Sequence, residues 1–172
     1  MADYYTPTVV DPVIPVSSML PIEIMFLAQV FDKQVENGVA YYSSEDGAND
    51  LIFLDPKEVR KALETTEHSS SRLVAKLLNE HADAIQGDKE IEFDMAGDLW
   101  PDVLQDIVRR SPELQELTVT MAFTCSKMRP DGFGGLAMLI TAAKIRSEST
   151  HTLLDRFYKE AAANGELGHG HS

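Results

Sequence analysis

Carboxylates are the residues whose types and spacing could do chemistry. Between Glu80 and Asp106, Glu90, Glu92 and Asp94 alternate with Ile91, Phe93 and Met95, and Asp98, Asp102 and Asp106 recur at every fourth residue. Alternation puts the first three on one face of a strand, about 6.5–7 Å apart along the chain. The four-residue repeat puts the second three on one face of a helix, at about 6 Å of rise per step. Rows of this kind suit recognition of a basic surface. Their sign and spacing resemble phosphates along a nucleic-acid strand, so a protein built to grip nucleic acid could accept them as a decoy. A divalent metal would also use several carboxylate oxygens, but the tract lacks the calcium-loop pattern and strand residues two apart diverge. No metal is therefore assigned. The plainer alternative is a solvated face that keeps the chain soluble.

A second candidate is the turn at 129–135, where Lys127 and Arg129 beside Gly132, Gly134 and Gly135 could hold an anion. Arg129-Pro130-Asp131-Gly132 also fits an ordinary type I turn, with proline setting φ at its second position. No Lys-Ser/Thr follows the glycines and no helix opens after them, so the phosphate-loop pattern is absent. The single cysteine, Cys125, falls on the apolar side of an alternating run, where a packed thiol is expected. His81 sits beside an apolar helical stripe, as a partly buried histidine does. His169 and His171 in the terminal GHGHS are a weak metal signal. No nucleophile-elbow, paired-cysteine or zinc-helix motif occurs, so no catalytic residue and no cofactor is assigned and the enzyme reading is the lesser one.

Stepping outward, the elements that must position these groups read as an α+β domain. The run 116–147 reads as a long central β-hairpin. Leu117, Val119, Met121, Phe123 and Cys125 alternate with small or hydroxylated residues, and an apolar return strand, covered on both faces, runs from Leu136 to about Arg146. About five helices are expected to pack on a mixed or antiparallel sheet. They are 20–36, capped by Ser17 or Ser18 and ended by Asn37-Gly38; a helix opened by Asp55-Pro56; one continuous helix from the 68–70 break to Gly87; one capped by Asp98; and one capped by Ser149 or Thr150. Prolines 7, 12 and 15 mark 4–15 as an edge strand or packed arm. A second hairpin is expected to join 39–42 to 51–54. Residues 1–165 read as one domain and 166–172 as a flexible tail.

The chain has 172 residues and a net charge of −13, unevenly spread. Residues 1–56 and 79–107 each carry −8, whereas 57–78 and 108–172 are slightly positive. This field disfavours direct binding to nucleic acid or an anionic membrane and favours a basic protein surface as partner. No apolar run is long enough to span a membrane, no secretory leader is visible, and one cysteine fits a reducing, cytoplasmic setting. The sequence thus points to a non-catalytic intracellular binding or accessory protein with an acidic face that engages a basic partner, a nucleic-acid mimic or inhibitor being one form of it. The alternatives are a small enzyme or ligand-binding domain using the 129–135 turn, and a structural subunit whose apolar first helix makes the contact. Oligomeric state is not encoded in any pattern found.

Overall fold

The computed structural model describes residues 2–66, 71–94 and 99–167. The expected roles of Met95 and Asp98, the break at 68–70, and His169 and His171 lie outside these residues.

Prolines 7, 12 and 15 exclude a helix at the N-terminus, and the segment forms three short strands: β1 (Tyr4–Tyr5), β2 (Thr8–Asp11) and β3 (Ile14–Pro15). They do not lie at an edge, as the prolines suggest. β2 pairs with β8 (Glu116–Cys125) on one side and with β5 (Val39–Ser44) on the other. This is possible because Pro7 and the cis Asp11-Pro12 bond fall between the paired runs, so neither proline removes a donor from the ladder. The sheet runs β10 (Ile145–Ser149), β9 (Gly134–Thr141), β8, β2, β5, with β4 (Asp32–Glu36) beyond β5 and β3 continuing the β2 rank; its pairings are antiparallel.

Three expectations are corrected here. The region 116–147 is not one central two-stranded hairpin. Its return half breaks at Ala142–Lys144 into β9 and β10, which lie at one end of the sheet. Nor is β9 covered on both faces: Ala137 and Leu139 are exposed while Ile140 is buried. The helices cover only one face of the sheet, the arrangement antiparallel sheets tolerate. Second, α1 (Pro21–Val30) ends at Val30, and DKQVE continues as strand β4. Asn37 and Gly38, with φ of 52° and 80°, form the two-residue turn to β5 rather than a helix cap. Third, β6 (Leu51–Leu54) does not pair with β5; it pairs with β7 (Ile91–Asp94) in a separate two-stranded ribbon.

The expected Ser17 or Ser18 cap of α1 is also corrected: both serines lie in a short turn before it, Leu20 stands at the cap position, and its N–H donates to Glu23 Oε2 at 3.0 Å; the other helices follow their local signals. Asp55 accepts from the Lys57 N–H at 2.8 Å and starts α2 (Pro56–Glu64), with Val59, Ala62 and Leu63 buried. Ser71 caps α3 (Arg72–Glu80), and the chain bends at His81 into α4 (Ala82–Gln86), so two helices stand where one was expected. α5 (Leu99–Arg110) buries Trp100, Val103, Leu104, Ile107 and Val108, the stripe its period predicts. α6 (Thr150–Ala163) starts on Ser149, which accepts from Thr152 N–H at 3.1 Å.

α1 and α5 close the core over Val10, Ile14, Ala40, Tyr42, Leu117 and Val119. Phe31 joins the layers edge-on, 6.4 Å from Tyr42 and 5.3 Å from Trp100. The ribbon turns Ile52, Leu54, Ile91 and Phe93 inward, with Phe93 edge-on to Phe26 at 5.7 Å and His81 5.1 Å from the Phe93 ring. Because Gly38 sits in the left-handed region at +80°, Gly38→Val should destabilise the fold by about 1–2 kcal/mol in chemical denaturation, through backbone strain alone.

Candidate functional site

The six acidic positions picked out by spacing do not share one fate. Glu90, Glu92 and Asp94 are exposed, and the ribbon register sets Phe53 opposite Glu92 and Leu51 opposite Asp94 on its outer side. Asp98 is outside the described residues. Asp102 is half-exposed, but Asp106 is 3% exposed and cannot belong to a solvated acidic row. Helix α5 is enclosed too far round its axis for the repeat to face water, since α3 lies against it. Arg72, at the start of α3, reaches over both acids. Its Nε donates to Asp106 Oδ1 at 3.0 Å, its Nη1 to Asp102 Oδ1 at 2.6 Å and its Nη2 to Gln105 Oε1 at 2.9 Å. The Arg72 backbone N–H adds a bond to Asp106 Oδ2 at 2.8 Å, and Arg109 Nη1 approaches Asp106 Oδ1 at 3.3 Å.

What the fold does assemble is an acid-rimmed cleft of about 560 Å³ between the N-terminal turn of α5, the 46–50 loop and the helix-facing side of β8, β9 and β10. Trp100, Met121, Leu136, Met138 and Ile145 give it an apolar floor, while Asp46, Asp50 and Asp102 stand in its lining, which among the described residues contains no lysine or arginine. Among the described residues no cation lies within ion-pair distance of Asp46 or Asp50, whereas Asp102 already shares Arg72. Asp50 leads directly into Leu51, which is 49% exposed, so the cleft adjoins the outer side of the ribbon. The sequence reading missed Asp46 and Asp50 because SSEDGAND looks like a simple hairpin turn. Its signal was the run of three acids, Glu45, Asp46 and Asp50, without a basic residue.

The 129–135 turn is built differently from an anion cradle. Lys127 and Arg129 are exposed, but the glycine N–H groups are committed internally: Gly132 donates to the Arg129 carbonyl at 3.0 Å and Gly135 to Thr150 Oγ1 at 3.2 Å. Glycine is needed there for close packing. A Cβ on Gly132 would stand 2.5 Å from that of Cys125, and one on Gly134 would stand 2.8 Å from Thr150 Oγ1. Among the described residues no cluster of histidine, cysteine and carboxylate side chains is arranged to hold a metal, and no helix is long and apolar enough to cross a membrane.

One carboxyl is deeply buried. Glu23 on α1 is 0% exposed, ion-paired to Arg110 on α5, and accepts from the Leu20 N–H at 3.0 Å; its Oε1 has no hydrogen-bond partner of normal geometry among the described residues. Burial raises its pKa above the ordinary 4.5, opposed by the Leu20 N–H, the Arg110 charge and the Ser71 hydroxyl. Burial and the nearby Glu23 charge together push Tyr42 up to about 12. The first helix is thus a core element and not the exposed contact helix that a structural-subunit role would need.

Two outcomes follow from this polar seam. Arg72→Ala leaves the buried Asp106 carboxylate with only Arg109 and the backbone N–H of residue 72, and should cost about 2 kcal/mol in denaturant unfolding, whereas Asp102→Ala, removing a half-exposed partner, should cost about 1 kcal/mol or less. The folded state holds the Glu23 proton more tightly than the unfolded chain does. Its contribution to stability is therefore full below the unfolded value and is lost as pH rises through the raised one. Urea midpoints taken from about pH 4 to about pH 7 should accordingly shift in favour of Glu23→Gln relative to wild type as pH rises.

Comparison of the chain with protein-family models, with curated proteins and with solved structures gives no match.

Proposed function

We propose that the protein is a non-catalytic binding protein whose acid-rimmed cleft engages a basic partner. The observation that carries this is the pairing of an apolar floor with Asp46 and Asp50, two carboxylates without a cationic neighbour among the described residues, in one concavity. An apolar floor attracts a hydrophobic side chain, and the rim selects a lysine or arginine beside it, since complementary charge sets specificity and encounter rate. The exposed Glu92 and Asp94 next to Phe53 and Leu51 extend the same chemistry along the ribbon. The partner segment is therefore basic and apolar in alternation, rather than uniformly basic. A nucleic-acid decoy draws less support, because burial of Asp106 interrupts the carboxylate row on α5.

Charge-matched variants test the proposal. Proteins retained from native lysate at low salt should be released as salt rises, since exposed charge pairs are screened within about 10 Å at 0.1 M. They should also be lost with Asp46→Lys/Asp50→Lys and kept with Glu36→Lys/Glu113→Lys, which changes net charge equally at exposed sites elsewhere. Equal loss with both pairs would mean that retention reflects total charge, and the cleft would have no special role.

A further inference from the structure

Strand β10 closes one end of the sheet: it pairs with β9 and, among the described residues, with no other strand. The hydrogen bonds on its paired side fix what its free side presents. The Thr141 N–H donates to the Lys144 carbonyl at 3.0 Å and the Gly135 N–H to Thr150 Oγ1 at 3.2 Å, at the two ends of a ladder that sets Arg146 opposite Leu139 and Glu148 opposite Ala137. Backbone groups that face one neighbouring strand recur at every second residue, so Arg146 and Glu148 direct theirs to β9. Ser147 turns its N–H and carbonyl away from the sheet, as do the Ile145 carbonyl and the Ser149 N–H on either side of it. The side chains of Arg146, Ser147 and Glu148 are exposed. An open edge of this kind is a template for another strand.

We propose that β10 is a homodimer contact, pairing antiparallel with β10 of a second copy about a two-fold axis at Ser147 and running one sheet through both. Charge decides the occupant and the register. A two-fold axis across two like strands opposes residues at equal steps from its centre. Centred on Ser147, it puts Arg146 of each copy opposite Glu148 of the other, in the non-hydrogen-bonded positions where side chains come closest. Centred on Arg146 or on Glu148 it opposes like charges, and centred on Ile145 it opposes Lys144 to Arg146. Only the Ser147 register is attractive throughout. The other outer strand, β4, has none: a two-fold axis opposes only residues an even number apart, and Lys33 stands at odd spacing from both Asp32 and Glu36. Glu148 already meets Arg156 of its own chain at 3.2 Å, and a carboxylate, with room for about four hydrogen bonds, accepts from both arginines. The wider field permits the approach. Although the chain carries −13, the charges of residues 134–149 are Lys144, Arg146 and Glu148 alone. Ile145 and Ser147 also line the acidic cleft, so the pairing sets two clefts side by side across the axis.

Sedimentation equilibrium over a concentration series reads the association directly, and its outcome is independent of what the cleft binds. Wild type should show a monomer–dimer equilibrium, with amide exchange at Ser147 and Ser149 slowing as the dimer forms. Ser147→Pro should abolish the dimer, because it deletes a donor that faces outward. Thermal melts should show its fold intact, because no bond to β9 is lost. Arg146→Glu and Glu148→Arg, which alter exposed side chains and decide independently of the proline variant, should each weaken the dimer about tenfold by opposing like charges. The double swap should restore it. A chain that stays monomeric throughout, or a dimer indifferent to Ser147→Pro, would overturn the proposal. A dimer that neither charge reversal weakens, or that the double swap fails to restore, would overturn the Ser147 register.

Discussion

The structure depends on one accommodation: α5 carries carboxylates on a face that the fold closes, and Arg72, with Arg109 beside it, makes this tolerable. Asp106 is enclosed between α5 and the start of α3, and Arg72 meets it with both side-chain and backbone N–H groups. A buried carboxylate left alone would cost several kcal/mol, so the two helices can approach only in the arrangement that brings Arg72 there. The other polar groups of α5 act in the same way. Gln105 donates to the Thr141 carbonyl at 2.9 Å and Arg109 to the Ala142 carbonyl at 2.8 Å, fixing the turn between β9 and β10. Arg110 holds Glu23, and Ser111 meets Ser18 at 2.8 Å, fixing α1. Apolar packing brings α5 to the sheet; these directional contacts specify the angle and height at which it rests.

That placement explains the one-sided sheet. α5 covers Leu117, Val119 and Ile140, but its N-terminal turn stops short of Met121, Leu136 and Met138, which become the floor of the cleft. On the far face Thr118, Thr120 and Ala137 are small enough to meet water without a helix over them. The outer strand β4 carries charge that discourages further pairing, in Asp32, Lys33 and Glu36. The acidity of the cleft comes from the loop holding Asp46 and Asp50 and from Asp102 of α5, not from the sheet.

Periodicity made faces legible but not partners. Ile91 and Phe93, the α5 stripe, and the Asp55-Pro56 helix start could all be read locally, because each depends on neighbours within one turn or two strand residues. The pairing of β6 with β7, from 37 residues apart at Leu54 and Ile91 to 43 at Leu51 and Asp94, has no local signature. Asn37-Gly38 gave a true signal with two meanings: a left-handed pair ends a helix or turns a hairpin, and the apolar start of α1 favoured the wrong one. The carboxylate row failed for a related reason. A four-residue spacing shows which side chains share a helix face, not whether an arginine 34 positions earlier closes over them. Asp46 and Asp50 were passed over because a loop has no period to interpret.

Charge and apolar exposure divide the surface into regions of different chemistry. Around the cleft, residues 45–55 contain four acids and no base, so like copies repel there and an oppositely charged partner is favoured. Along β10 and α6 the charges balance, which lowers that electrostatic barrier and leaves local pairing at the strand edge to decide. Salt distinguishes the two: screening weakens attraction at the cleft, yet it also weakens repulsion between the acidic bodies of two approaching copies.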